Sequence, residues 1–425
     1  MAFLFAGARQ IFQAPVEGMT PPIEALSVAM VESAAGAVDL AIGLVGVMTL
    51  FLGLMKIAEA GGLLQVISRL IRPLMVRLFP DVPPDHPAMG AMILNLSANA
   101  LGLGNAATPF GIRAMQELDR LNPHKGTATN AMALFLAINT SSITLLPTGV
   151  IALRAAAGSV DPAGILPTTL FATMGSTTVA IIAAKMYARF SRLNVQSTGD
   201  APDASAGAEN GPEAASPEAE VQETSSAYPL WVSIFSLAVL VSLIPLTVLY
   251  GKQISPWIIP LLMVGFLTFG VIRRVRVYEV FVDGAKEGFQ VAVRIIPYLV
   301  AILVAVGMFR ASGALDVMVA TLGAWTGKVG LPAEALPMAL LRPLSGSGAY
   351  GILASVINDP AIGPDSYVGY LVSTLQGSTE TTFYVLAVYF GAVQVKRLRH
   401  TLAAALSADV AGVVFAVMAC SFLFG

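Results

Sequence analysis

Charged residues are scarce in this sequence: 12% of its 425 residues are Asp, Glu, Lys or Arg, where a soluble domain has about 25%. Hydrophobic residues make up 56% of the chain, and the mean hydropathy is +0.75. The 24 Lys and Arg residues nearly balance the 26 Asp and Glu residues, so no basic surface for nucleic acid is indicated. These values exclude an ordinary cytosolic enzyme, a disordered chain and a nucleic-acid-binding protein. They predict an integral membrane protein whose main partner is the lipid bilayer.

Cysteine and histidine are nearly absent as well. The one cysteine, Cys420, can form neither an intrachain disulfide nor a cysteine-based metal cluster. The three histidines, His86, His124 and His400, lie beside charged or Pro-rich loops, which are poor positions for a His-ligated metal. The sequence also lacks a Ser-His-Asp set and a phosphate-binding loop. We therefore expect no enzymatic activity, no bound metal and no cofactor.

Apolar stretches near the length of about 20 residues that a helix needs to cross the hydrocarbon recur along the chain. The uninterrupted ones are 34–58, 165–188, 228–250, 256–272, 287–311 and 402–424. Two more, 127–157 and 366–393, are long enough but contain polar residues at their centres. The chain begins without the basic region and cleavage site of a signal peptide. The pattern predicts an all-α polytopic membrane protein.

One segment differs in composition from everything around it. Residues 193–227 contain seven acidic residues, no Lys or Arg, and many Ala, Ser, Gly and Pro residues. Such a segment cannot bury a core, so we predict a disordered acidic linker. It separates a first domain, 1–192, from a second domain, 228–425.

The two domains contain the same features in the same order, which indicates an internal repeat. In each, a long apolar run ends at a glycine turn, at 60–63 and 312–315, and a short amphipathic stretch follows. Next comes a segment rich in small and polar residues, NLSANALGLGNAATP in one half and LRPLSGSGAYG in the other. The interrupted apolar stretch and a final helix complete each repeat.

The distribution of Lys and Arg indicates how the small-residue segments cross the membrane. If 88–119 and 335–358 are re-entrant hairpins, 17 basic residues lie on one face and four on the other. The 17 are Lys56, Arg69, Arg72, Arg77, Arg113, Arg120, Lys125, Lys185, Arg189, Arg192, Arg273, Arg274, Arg276, Lys286, Lys396, Arg397 and Arg399. The four are Arg154, Lys252, Arg310 and Lys328. If each segment crosses once instead, the same residues divide 11 to 10.

The positive-inside rule favours the hairpins, and it places the linker in the cytoplasm. With hairpins, the apolar helix at 34–58 runs in the opposite direction to its counterpart at 287–311. The two repeats are therefore predicted to be inverted, each with an interfacial helix, a re-entrant hairpin and a broken transmembrane helix. This architecture is typical of secondary transporters.

Four interruptions, two in each repeat, are expected to meet near the membrane midplane. A break there frees backbone groups that only protein or a wet cavity can satisfy, and the amides and hydroxyls around it suit a small polar solute. The alternative is that the small and hydroxylated residues join helices. The candidate solute-binding residues are Asn95, Ser97, Asn99, Asn105, Asn139, Thr140, Ser141, Ser142, Arg342, Ser345, Ser347, Gln376, Ser378, Thr379, Glu380 and Thr381.

Two of these candidates are ionisable. Glu380 lies in the second broken helix and Arg342 at the tip of the second hairpin, and intramembrane charges usually mark functional sites. They either contact a ligand or ion, or neutralise each other. Asp39, Arg294 and Asp409 also fall inside helices, and we expect interior pairing for them.

Three motifs of the sequence resemble those of known membrane proteins. NLSANALGLGNAATPFGIRAM in the first half resembles spore maturation protein A. RPLSGSGAYG and TLQGSTETTFYVLAVYFGAV in the second half resemble spore maturation protein B. The resemblance extends over nearly the whole chain apart from the linker. It implies a fusion of two nucleoside-recognition (gate) domains.

The order of elements also resembles the transport core of concentrative nucleoside transporters. In that family the hairpin tips and broken helices hold the nucleoside and sodium, with an acid on the broken helix of each repeat. Glu380 matches the second acid, whereas the first repeat has Asn139-Thr140-Ser141-Ser142 and no acid.

Taken with the resemblance, the sequence predicts a secondary transporter or permease of the plasma (inner) membrane. Its substrate would be a small polar, nucleoside-like solute, held between hairpin tips and broken helices at mid-membrane and coupled to sodium or protons. The alternative is a non-transporting membrane component of a spore-maturation or envelope assembly. A metal permease is set aside because its broken helices would present cysteines. Whether the chain forms a homo-oligomer stays open.

Overall fold

A computed structural model describes residues 2–12, 20–102, 104–141, 144–191 and 259–425, with isolated positions between 229 and 257. The continuous ranges form helices and no strands. They are α1 (Ala2–Phe12), α2 (Pro22–Ala60), α3 (Leu63–Leu78), α4 (Pro87–Ala100), α5 (Gly104–Arg120), α6 (Asn130–Ser141), α7 (Thr148–Ala156), α8 (Leu166–Phe190), α9 (Ile259–Ile272), α10 (Val277–Ala311), α11 (Ala314–Thr326), α12 (Leu336–Leu341), α13 (Gly346–Ile357), α14 (Tyr367–Ser378), α15 (Thr382–Gly391) and α16 (Thr401–Phe424).

Three of the described helices, α2, α8 and α16, are long and apolar enough to cross a membrane. The prediction of an all-α polytopic membrane protein is thereby confirmed. The predicted linker, 193–227, lies outside the described residues, and so does most of the apolar stretch at 228–250. The domain boundaries stay a prediction.

Both halves contain the same helices in the same order. A long helix, α2 or α10, ends at a turn whose last glycine is left-handed, Gly62 at φ 87° and Gly313 at φ 78°. Only glycine adopts this conformation without strain, so each turn redirects the chain into α3 or α11. The hairpins α4–α5 and α12–α13 follow, then the broken helices α6–α7 and α14–α15, and finally α8 or α16.

The helices α2 and α10 pack against each other along most of their length. Ser33 near the start of α2 touches Gly307 near the end of α10, whereas Lys56 near the end of α2 touches Gly284 near the start of α10. The two equivalent helices therefore run antiparallel. Position 33 of the first half corresponds to position 284 of the second, and position 56 corresponds to position 307. The second contact is therefore the first one with the two halves exchanged.

Glycine allows this close approach. A Cβ on Gly288 would lie 2.7 Å from the Met48 carbonyl oxygen, and one on Gly284 would lie 2.5 Å from the Lys56 Cβ. Gly284 and Gly288 are four residues apart and lie on one face of α10. Small residues at this spacing let backbones come close in membrane helix pairs.

The broken helices lie between the two halves. Helix α6 packs on α8 of its own half and on α16 of the other, and α14 packs on α16 and on α8. Helices α8 and α16 also run antiparallel. Phe171 stacks edge-on against Phe415 at 5.6 Å, and the Tyr187 hydroxyl lies 3.1 Å from the Ser407 hydroxyl. The helix breaks are therefore surrounded by elements of both halves.

An arginine joins the halves at each end of the broken-helix pair. Arg154 near the end of α7 is 0% exposed; it donates to the Pro364 carbonyl at 2.6 Å and pairs with Asp365 at 3.0 Å. Arg399, which follows α15, donates to the Ala128 carbonyl at 3.0 Å just before α6. Each arginine thus reaches from the end of one broken helix to the loop that begins the other.

Candidate functional site

A cavity of about 580 Å³ lies where the two helix breaks and the two hairpins meet. It is lined from both halves of the chain. The lining residues are Met48, Leu52, Met55, Lys56 and Glu59 of α2; Asn99, Gly102 and Pro109 of the first hairpin; Thr144 and Leu146–Val150 of the first break and α7; Glu287 of α10; Arg342, Gly346 and Tyr350 of the second hairpin; and Gln376, Gly377 and Thr379–Thr381 of the second break.

The two helix breaks touch each other beside this cavity. The Glu380 amide donates a 2.8 Å hydrogen bond to the Thr140 carbonyl, which α6 leaves free at its C-terminal end. A Cβ on Gly377 would lie 3.2 Å from the Pro147 Cβ. Backbone groups freed by one break are therefore partly satisfied by the other half.

Arg342 holds the second break in place. Its guanidinium is buried, with the residue 6% exposed. It donates to the Thr381 hydroxyl at 3.0 Å and also to the Thr379 carbonyl. Its distance to the Glu380 carboxylate is longer, 3.9 Å. Because the Glu380 side chain is 43% exposed and lines the cavity, its carboxylate is open to a solute.

Two buried polar atoms in the cavity wall have no hydrogen-bond partner among the described residues. They are Arg342 Nε and Gln376 Oε1, and Gln376 is 4% exposed. Buried polar atoms are normally satisfied, because an unpaired one loses its hydration. One donor and one acceptor are thus left unpaired in the wall behind the cavity surface, near the Glu380 carboxylate.

The first half of the chain contributes an amide side chain to the cavity where the second half contributes charged ones. Asn99 of the first hairpin lines the cavity and donates to Asn139 Oδ1 at 3.0 Å. Asn139 in turn donates to the Phe135 carbonyl at 2.9 Å within α6. The amide of Asn139 therefore orients that of Asn99.

Three charged residues of the cavity were not predicted from the sequence. Lys56 pairs with Glu59 at 3.3 Å and with Glu287 at 3.0 Å, and all three side chains are partly exposed. They form an exposed end of the cavity between α2 and α10. Their signal in the sequence is slight, since charges at the end of an apolar run usually mark only the membrane boundary.

Six of the 16 predicted residues line the cavity: Asn99, Arg342, Gln376, Thr379, Glu380 and Thr381. Ser142 lies outside the described residues, as does the side chain of Asn105. The other eight do not line it. Thr140, Ser141 and Ser378 hydroxyls bond carbonyls of their own helices.

The remaining predicted residues hold helices together or cap them. Asn95 donates to the Ala107 carbonyl at 2.7 Å and to the Tyr389 hydroxyl at 3.1 Å. Ser97 accepts a hydrogen bond from Ser68 on α3 at 3.0 Å. Ser345 caps α13 by accepting from the Gly348 amide at 3.1 Å. Ser347 is partly buried outside the cavity lining.

The expected interior pairing of the other intramembrane charges is not what the described residues show. Asp39 is exposed on α2. Asp409 has no cation at ion-pair distance among the residues that the structure describes, and it instead accepts a hydrogen bond from the Thr382 hydroxyl at 2.7 Å. The Arg294 side chain lies outside the described part of the chain. A hydroxyl donor replaces the basic partner because α15 begins beside Asp409.

Two antiparallel pairs of equivalent helices around a shared cavity define a class of membrane protein with two similar halves, and comparison with known proteins assigns the family. The family model described as "Gate: Nucleoside recognition" matches residues 41–157 and 292–396, together more than half of the chain. The chain therefore belongs to the nucleoside-recognition (Gate) family. No solved structure shows a significant match to it.

Two curated relatives each match one half of the chain. Spore maturation protein B of Bacillus subtilis (strain 168) is 48% identical over 167 residues, which is 39% of this chain and 93% of that protein. Spore maturation protein A of the same organism is 51% identical over 154 residues, 36% of this chain and 79% of that protein. The resemblance predicted from the two motifs is confirmed, and the chain has the arrangement of an A–B fusion.

Proposed function

We propose that this chain is a secondary transporter or permease for a small polar solute, which binds in the cavity between the hairpins and broken helices. The observation that carries the proposal is the lining of one cavity by both hairpins and both breaks. Its volume of about 580 Å³ falls within the usual range of about 300–1,000 Å³ for small-molecule sites. A nucleoside-like solute is the first candidate, given the description of the family.

The proposed location is the plasma (inner) membrane, with residues 193–227 in the cytoplasm. The basic residues support this orientation, because 17 of the 21 counted lie on one predicted face. Lys56 belongs to that face and to the exposed end of the cavity, so the solute would reach the site from the cytoplasm. At the opposite end, Arg154 lies one turn beyond Val150 of the cavity wall and closes the path.

Comparison of small polar metabolites between a deletion strain and its parent tests the proposal. Loss of a transporter is expected to change the distribution of one solute class between cells and medium. Equal distributions in both strains would favour the alternative, a non-transporting component of an envelope or spore-maturation assembly in which the fold is a scaffold.

Glu380→Gln tests the site itself. The variant keeps the shape of the side chain and removes the charge that faces the cavity, so we expect normal folding and uptake reduced about tenfold or more, as for loss of a charge-assisted hydrogen bond. Glu334→Gln, on the turn before α12, is the matched control and should transport normally. Uptake by Glu380→Gln equal to that of the control would contradict the assignment.

A further inference from the structure

Asp409 is an acidic residue near the middle of α16 that the proposed solute site does not use. It is 6% exposed, in a helix long and apolar enough to cross a membrane. Its Oδ2 accepts a 2.7 Å hydrogen bond from the Thr382 hydroxyl. Its Oδ1 has no hydrogen-bond partner among the described residues. Buried polar atoms are nearly always paired, so an open carboxylate oxygen here requires an explanation.

The charged groups around Asp409 leave this acid without a direct counter-ion. Arg342 is the nearest buried cation along the Thr381–Thr382 connection, and no ion pair joins it to Asp409 among the described residues. Lys185 and Arg189 of α8 are exposed, and α6 carries no titratable residue. The other titratable side chains on the helices packed against α16 are Tyr187 on α8, Tyr367 and Tyr370 on α14, and Tyr384 and Tyr389 on α15.

Asp409 lies directly behind the cavity wall. Thr382, which donates to it, begins α15 and follows Thr381 of the lining. Gly412, three residues after Asp409, packs on another wall residue: a Cβ there would lie 2.7 Å from Thr379 Cγ2. The carboxylate is thus one side chain away from the second helix break.

We infer that Asp409 is a proton-binding site, with Oδ1 as the atom that takes up the proton, and that this proton is the coupling ion of the transporter. The role of this proton as a coupling ion rests on the proposed transport function. Acids buried within membrane helices commonly serve as proton carriers, because an isolated charge there is costly. Uptake converts one carboxylate and one proton into a neutral carboxylic acid, while Thr382 continues to donate to Oδ2.

Arg342 connects this site to the solute. Its guanidinium lies 3.9 Å from the Glu380 carboxylate within the cavity. It also donates to the Thr381 hydroxyl, and the next residue, Thr382, donates to Asp409. When Asp409 is neutral, Glu380 is the one carboxylate of the pair that still attracts Arg342, and the ion pair between Arg342 and Glu380 strengthens. When Asp409 is ionised, Glu380 is freer to meet the solute. By linkage, solute binding changes proton affinity by the same factor as proton binding changes solute affinity.

Infrared difference spectroscopy of the full chain tests the site without a known solute. The protein is reconstituted in phosphatidylethanolamine–phosphatidylglycerol vesicles. Spectra are compared between buffers of about pH 6 and about pH 9, a range in which ordinary Asp and Glu carboxyl groups stay ionised. We expect a carbonyl band of a protonated carboxyl group that Asp409→Asn abolishes and Asp39→Asn retains. Asp39 is the matched control because it is an aspartate in another apolar helix, with an exposed side chain. No such band, or a band that survives Asp409→Asn, overturns the inference.

Thr382→Val is a second variant that keeps the acid and removes its hydrogen-bond donor. The titration midpoint of the band is expected to move by about one pH unit, and an unchanged midpoint counts against Asp409 as the site. Exchanging potassium for sodium at fixed pH should leave the spectrum unchanged. A sodium-dependent spectrum would overturn the inference and assign sodium as the bound ion. These readouts record proton binding alone. A chain that binds the proton at Asp409 but moves no solute therefore contradicts the transport proposal and leaves the site in place.

Discussion

Arg154 illustrates how a charged side chain can be fully desolvated in this protein. All its polar partners belong to the loop after α7 or to the second half. They are the Pro364, Asp161 and Pro162 carbonyls, the Ser159 and Ser373 hydroxyls and the Asp365 carboxylate. The Tyr370 ring lies beneath the guanidinium, 4.3 Å from its central carbon. A buried charge is tolerated only when its donors are used in this way.

Arg154→Met should therefore destabilise the folded protein by about 3–5 kcal/mol, because it leaves buried acceptors and a carboxylate without their partner. Arg310→Met is the control: Arg310 pairs with Asp359 at 2.9 Å, but its side chain is 49% exposed. An exposed pair contributes about 1 kcal/mol or less. Unfolding of both variants in detergent, induced by heat or by denaturant, measures the difference in stability. Equal losses would mean that the buried network adds no stability.

His400, in the loop before α16, introduces a dependence of stability on pH. Burial, together with the neighbouring Arg399 charge, lowers the pKa of His400 from 6.5 to about 4, and neither ring nitrogen has a hydrogen-bond partner within the described part of the chain. Between these two values the unfolded chain binds a proton that the folded chain does not. Stability should thus decrease as the pH falls from 6.5 to about 4, by about 1.4 kcal/mol per pH unit.

Thermal unfolding across this pH range checks the expectation. The His400→Gln variant should lose the slope, because glutamine does not titrate. His124→Gln, which changes an exposed histidine, should retain it. A slope that persists in His400→Gln would assign the pH dependence to other groups.

At the scale of helices, the close approach of α10 to α2 depends on the lack of a side chain at Gly288. The nearest atoms to an added Cβ are backbone atoms, the Met48 oxygen at 2.7 Å and the Thr49 Cα at 2.8 Å, and these cannot rotate away. Gly288→Ala should cost about 1–3 kcal/mol of stability, as overpacking does. Gly43→Ala on α2, where no described atom lies within 4 Å of the added Cβ, is the control and should be neutral or slightly stabilising, because alanine favours a helix over glycine. Denaturation midpoints of the two variants measure the difference in stability, and equal midpoints would mean that Gly288 is not needed for the close approach.

The helix breaks could be predicted from the sequence because polar residues interrupt apolar runs of membrane-spanning length. The structure has α6 ending at Ser141 and α14 at Ser378, within the polar centres of the interrupted stretches 127–157 and 366–393. The orientation of individual hydroxyls could not be predicted. A Ser or Thr at a helix end bonds a carbonyl of its own helix as readily as a ligand, and Thr140 and Ser141 do the former.

At the scale of the whole molecule, the cavity depends on contacts between residues distant in the sequence. Lys56 and Glu287 come within 3.0 Å only because α2 and α10 run antiparallel. A single sequence contains the order of the two repeats but not the register between them. The exposed charged end of the cavity was for this reason missed. The polar cavity residues of the second break and one from each hairpin were predicted, whereas those of the first break, Thr144 and Leu146–Val150, were not.

The orientation of the molecule in the membrane can be tested by cysteine labelling, for which the native cysteine sets the background signal. Cys420 is buried, so a membrane-impermeant maleimide should label the unmodified chain weakly. In intact cells we expect labelling of Ala361→Cys, in an exposed loop, and none of Ser205→Cys in the predicted linker. Labelling at position 205 but not at 361 would contradict the orientation derived from the basic residues.

The shared cavity also has a consequence for gene dosage. Each half alone would expose the face of α2 or α10 that the other half covers, and neither would contain a complete cavity. A single reading frame supplies the two halves in equal number at any level of expression. Tethering also makes their pairing intramolecular, at an effective concentration of about millimolar for a short flexible connection. Changes in transcription or translation therefore alter how many cavities a cell has, but never leave one half in excess.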